Sequence, residues 1–208
     1  FKIAMRDLEI RGAGNLLGAE QSGHIAAVGY DMYCRLLDRA VRELNHERIL
    51  DPVETTIDIG ATGIVPKAYI PSDARRMEAY RRVARAASVE ELRAVESDLK
   101  DAYGDPPAPT RRLLELAELR IHANRLLIRS VAVHEQDVVH RCEDADAVRD
   151  ALAEAKGTVR VLKAAPGDTS GLVEVYYRPP ANYLEPETLL RVLRTRLGAA
   201  ASRRAAML

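Results

Sequence analysis

The chain has 208 residues, of which 47% are hydrophobic and 30% charged, and its 31 basic and 31 acidic residues leave a formal net charge of zero. This composition is that of a globular protein, and the zero balance argues against a dedicated binder of nucleic acid or of anionic membranes while leaving room for a local basic site. No apolar run approaches the roughly 20 residues of a membrane-spanning helix, so no membrane partner is expected.

A helix, a loop and a second helix are predicted for residues 1–46. Apolar residues recur at helical spacing over residues 1–10 and again from Tyr30 to about His46. Gly12 and Gly14 interrupt the pattern between them. Because Pro52 disfavours helix at the residue before it, the boundary of this first unit is placed near residue 50.

Residues 51–197 are predicted to form one compact α+β domain, with helices packed on a small, mostly antiparallel sheet. Helices are expected over residues 73–86, 89–103, 110–127, 144–156 and 186–197, and strands near residues 54–60, 130–134, 138–142, 158–163 and 172–178. Gly104 is the predicted stop of the second helix. The tail, residues 198–208, shows no pattern strong enough to order it and is expected to be flexible.

Two familiar site patterns are incomplete in this sequence. GAGNLLG, residues 12–18, has leucine at position 17 where the dinucleotide-binding fingerprint needs glycine, and a helix rather than a strand is predicted before it. His134, His140 and Cys142 could converge on a metal, but three ligands without a fourth are better explained as side chains of a hairpin, so no metal site is predicted. Cys34 and Cys142 lie far apart and predict no disulfide framework, which favours a reducing cytoplasm.

A basic cluster is predicted on the helix over residues 73–86. Arginine suits bidentate contact with phosphate or carboxylate, so the cluster is a candidate partner-binding surface; a solvated helix face is the plainer alternative. The sequence contains no G-x-x-x-x-G-K-[ST] phosphate loop and no Ser-His-Asp or Cys-His-Asn arrangement, so no catalytic residue is assigned. The cluster consists of Arg75, Arg76, Arg81, Arg82 and Arg85.

The N-terminal run IAMRDLEIRGAGNLLGAEQSGHI, residues 3–25, resembles the translocation motif of two families of double-stranded DNA translocases, the transcription-repair coupling factors (the Mfd family) and the RecG-type proteins. The RecG-type proteins end soon after this motif. Residues 69–109, YIPSDARRMEAYRRVARAASVEELRAVESDLKDAYGDPPAP, look like the C-terminal domain of the coupling factors. The resemblance therefore implies a C-terminal piece of a longer coupling factor, beginning within its second motor lobe.

This resemblance implies a function for each part of the chain. The longer protein would use ATP and Mg²⁺, bound outside this chain, to move on double-stranded DNA, displace stalled RNA polymerase and recruit the repair protein UvrA. Arg11 and Gln21 match the motif positions that couple nucleotide-driven lobe closure to DNA movement, and Arg11 could contact phosphate or brace the loop. The other matching positions of the motif loop are Asp7, Gly12, Gly14, Gly18, Ser22 and Gly23.

The C-terminal domain would be non-catalytic and would contact the distant UvrA-binding domain, which holds the longer protein in a repressed state. A stand-alone module that binds a protein partner through the basic helix 73–86 is the alternative hypothesis.

Overall fold

The structure, a computed structural model, describes residues 55–162 and 171–206. Contacts divide these residues into two units. The helical unit contains residues 62–86 and 90–113, and the sheet unit contains residues 55–61, 87–89, 114–162 and 171–206. The single domain predicted over residues 51–197 is thus organised as two compact parts.

Two helices account for most of the helical unit. Helix α1 spans Asp73–Arg85 and begins where the Ser72 hydroxyl accepts a hydrogen bond from the backbone of Arg75, at 3.4 Å. Helix α2 spans Val89–Tyr103. Leucine and valine at i, i+3 and i+7 of α2 are buried, the apolar stripe of an amphipathic helix: Leu92, Val95 and Leu99.

The predicted stop of α2 is confirmed. Gly104 has φ +83°, a left-handed conformation that favours glycine, and its N–H donates to the carbonyl of Lys100 at 2.8 Å. Helix α3 then spans Ala108–Arg125, two residues earlier than predicted. The earlier start is possible because Pro109 lies in the first turn, where its missing N–H leaves no helical hydrogen bond unmade.

Five strands form the sheet of the sheet unit, in the order β1-β2-β3-β5-β4. Their bounds are Thr56–Asp58, Ile128–His134, Asp137–Cys142, Thr158–Leu162 and Val173–Arg178 for β1 to β5. Strand β1 is parallel to β2, and the other neighbouring pairs are antiparallel. The prediction of a small, mostly antiparallel sheet is therefore confirmed.

Helix α4 spans Ala145–Leu152, and the Asp144 side chain caps it by accepting from the backbone of Ala147 at 3.0 Å. It ends at Leu152 rather than near Lys156, because residues 153–157 form turns that lead into β4. Gly157, the last of them, has φ +135°.

Helix α5 spans Pro186–Ala205 and corrects the predicted flexible tail. The prediction that the last helix ends at Leu197 is wrong, because Gly198 does not stop the helix. Gly198 instead permits close packing, since a Cβ at this position would lie 3.0 Å from His122 Nε2. The alanines that follow favour helix, and Ala200 and Ala201 are buried.

The core of the sheet unit lies between one face of the sheet and helices α3, α4 and α5. The strands contribute the buried residues Val131, Val138, His140, Val175 and Tyr177, and the helices contribute Leu119, Leu126, Leu152, Leu189, Leu193 and Leu197. No helix within the described residues is long and apolar enough to cross a membrane.

Candidate functional site

The predicted translocation-coupling residues Arg11 and Gln21 lie outside the described residues. The same holds for the motif positions Asp7, Gly12, Gly14, Gly18, Ser22 and Gly23, so their assigned roles stay predictions.

The arginines of the predicted basic cluster all lie on α1, but they occupy different environments. Arg76 is only 8% exposed and donates to the carbonyls of Ile70 and Pro71 at 3.0 and 3.1 Å. It also pairs with Asp73 in the first turn of the same helix. Arg76 therefore joins α1 to the segment before it and offers little charge to a partner.

Two further arginines of α1 form ion pairs within the helical unit. Arg82 pairs with Asp98 of α2, and Arg81 lies 3.6 Å from Glu78 of its own helix. Arg75 and Arg85 are exposed. The role of the five arginines as a partner-binding surface stays a prediction.

A shallow groove of about 530 Å³ runs along α1 and α2. Leu99 and Tyr103 provide apolar surface within it, and Arg75 and Asp101 are among its charged residues. The Tyr69 hydroxyl donates to the Gly104 carbonyl at 2.8 Å and so fixes the chain at the end of α2. Residues of both charge signs line this groove, so it offers no uniformly positive surface to a phosphate.

In the sheet unit, the carboxylate of Asp137 receives two hydrogen bonds from Arg178, at 2.9 and 2.6 Å. Arg160 of β4 lies 3.4 Å from the same carboxylate. Hydrogen bonding from Arg178, reinforced by the charge of both arginines, holds the pKa of Asp137 below its usual value although burial opposes this. The pKa of Arg178 is raised for the same reason.

A second polar pair lies on the same face of the sheet. The Tyr176 hydroxyl donates to Glu174 at 2.9 Å, and this bond raises the pKa of Tyr176. Sequence reasoning missed this polar network, because it depends on which strands are neighbours. The near alternation of apolar and polar residues along β5 was the available signal.

The three metal candidates do not come together. His140 and Cys142 lie on the buried face of β3, whereas His134 pairs with Asp137 on the opposite face of the sheet. The described residues contain no group of three or more His, Cys, Asp or Glu that could hold a metal ion.

Burial shapes the chemistry of the two core-facing residues. It lowers the pKa of His140 to about 4 and raises the pKa of the Cys142 thiol to about 11. His140 Nδ1 lies 3.3 Å from the Val175 carbonyl, and its Nε2 has no hydrogen-bond partner among the described residues. At neutral pH the histidine is uncharged, but its low pKa and complete burial make it a weak and inaccessible base, and the cysteine is a protonated thiol, which is a poor nucleophile.

Comparison with known protein families gives a match to the TRCF domain over residues 59–151. The chain is 43% identical over 130 residues to the "Transcription-repair-coupling factor" of Mycobacterium bovis, with 57% of this chain and 10% of the relative covered. It is 34% identical over 155 residues to the protein of the same description from Bacillus subtilis, with 74% and 12% covered. The chain thus spans about a tenth of the length of these curated relatives.

Among solved structures, the fold resembles that of the "C-terminal domain of transcription-repair coupling factor". The TM-score is 0.55 at 16% sequence identity, and the match covers 72% of this chain and 95% of the other. This likeness concerns the fold alone.

Proposed function

Because the chain belongs to the transcription-repair-coupling factor family and corresponds to its C-terminal part, we propose that it serves an ATP-dependent translocase of double-stranded DNA. That translocase would displace stalled RNA polymerase and couple transcription to nucleotide-excision repair in the cytoplasm. The observation that carries the proposal is the TRCF match over residues 59–151, which runs from just after β1 into α4. This chain spans about a tenth of the length of the curated relatives, so most of the motor would lie in parts of the longer protein outside this chain.

The N-terminal residues would take part in the movement of this motor along DNA. Arg11 and Gln21 would convert the closure of the motor lobes into a step along the duplex, with glycines allowing the loop its sharp path. Any contact of Arg11 with DNA would be made to phosphate and would not depend on sequence. ATP, Mg²⁺, RNA polymerase and UvrA would bind to other parts of the longer protein.

The two units described here would regulate rather than catalyse. The described residues supply no metal cluster, and the buried histidine and cysteine of the sheet unit have pKa values that suit packing rather than catalysis. To make the repressed arrangement a hundred times more populated than the released one, the domain needs to contribute only about 2.7 kcal/mol of free energy. One modest contact with the UvrA-binding domain would supply this and would still yield to a competing partner.

The coupling role is tested by Arg11→Ala in the longer protein. The variant should hydrolyse ATP at a near-normal rate and should lose displacement of a stalled polymerase. Arg191→Ala, on the exposed side of α5, is the matched control and should leave both rates unchanged. Displacement at the normal rate by Arg11→Ala would show that the coupling role is wrongly assigned.

The regulatory role is tested by removing residues 55–208 from the longer protein. Basal ATP hydrolysis should rise at least tenfold when the restraint is lost. An unchanged basal rate would contradict the restraint. The alternative, a module that binds through the basic helix alone, is disfavoured by the burial of Arg76 and the pairing of Arg81 and Arg82 inside the helical unit.

A further inference from the structure

We draw no further inference here: the strongest candidate, the edge strand β4 with the exposed side chains of Val161 and Leu162, carries none because nothing in the structure shows what covers it.

Discussion

The hydroxyl of Tyr80 lies 2.7 Å from the backbone nitrogen of Val65 and accepts its hydrogen bond inside the helical unit. Both residues are at most 5% exposed, so water cannot replace the hydroxyl. Tyr80→Phe leaves the buried N–H of Val65 without its acceptor and should lower the free energy of unfolding by about 1–3 kcal/mol. Urea denaturation of the 208-residue chain measures this. Tyr183→Phe, at a half-exposed tyrosine of the sheet unit, should change the free energy of unfolding by less than about 0.5 kcal/mol. Equal losses in the two variants would contradict the role of the Tyr80 hydroxyl as the acceptor for the Val65 N–H.

Arg76 should matter for stability far more than its neighbour on α1. Arg76→Ala removes the donors to the carbonyls of Ile70 and Pro71 and leaves Asp73 without its ion pair. We expect a loss of about 2–3 kcal/mol in the free energy of unfolding. Arg75→Ala, at an exposed position, should stay within about 0.5 kcal/mol of the unchanged chain. If both variants unfold at the same denaturant concentration, Arg76 is not a structural residue.

The buried His140 should make stability depend on pH. Its pKa is about 4 in the folded chain and about 6.5 when the chain unfolds. Above pH 6.5 the histidine is neutral in both states, so stability is full. As the pH falls from 6.5 to 4 the unfolded chain binds a proton that the folded chain does not, and stability declines by roughly 3 kcal/mol in total.

The measurement is urea denaturation at pH 7 and pH 5. His140→Leu should remove most of the difference between the two pH values, while His134→Gln, which keeps the buried histidine, should retain it. If the pH dependence of stability persists in His140→Leu, groups other than His140 cause it.

Gly157 should tolerate no side chain. It has φ +135°, and an added Cβ would lie 2.3 Å from the carbonyl oxygen of Arg178, closer than real Cβ atoms approach. Gly157→Ala should lower the free energy of unfolding by more than about 3 kcal/mol, because the strain at this φ and the clash with the Arg178 carbonyl add together. Gly104→Ala provides the comparison: φ is +83° but a Cβ there meets nothing within 4 Å among the described residues. That variant should lose about 1–2 kcal/mol from strain alone. Thermal or urea unfolding separates the two, and equal losses would show that the contact with Arg178 relaxes.

The sequence predicted those elements whose signals are local. The bounds of α1 and α2, the glycine stop at Gly104 and the hairpin of β2 and β3 are close to the prediction, because capping, periodicity and turn residues act within a few positions. The end of α5 was mispredicted because the packing of Gly198 against His122 involves residues 76 positions apart.

The candidate site was harder to predict for the same reason. Arg76 appears on a helical wheel as one more basic residue, and only the path of the segment before α1 shows that two carbonyls meet its guanidinium. Which side chains share a face of the sheet depends on the register of five strands, which places Asp58 beside Ala132 although 74 positions separate them. Pairing between distant segments has no local sequence signal.

Strand β1 pairs with β2 although α1, α2 and α3 lie between them in the sequence. The Thr55 hydroxyl donates to the Ile128 carbonyl at 2.6 Å, a contact between residues 73 positions apart. During synthesis on the ribosome, β1 therefore emerges several seconds before the strand it must join, at the usual rate of about 5–20 residues per second. The nascent chain has to keep this short segment soluble while three helices form, and the parallel edge of the sheet closes only after translation has passed residue 134.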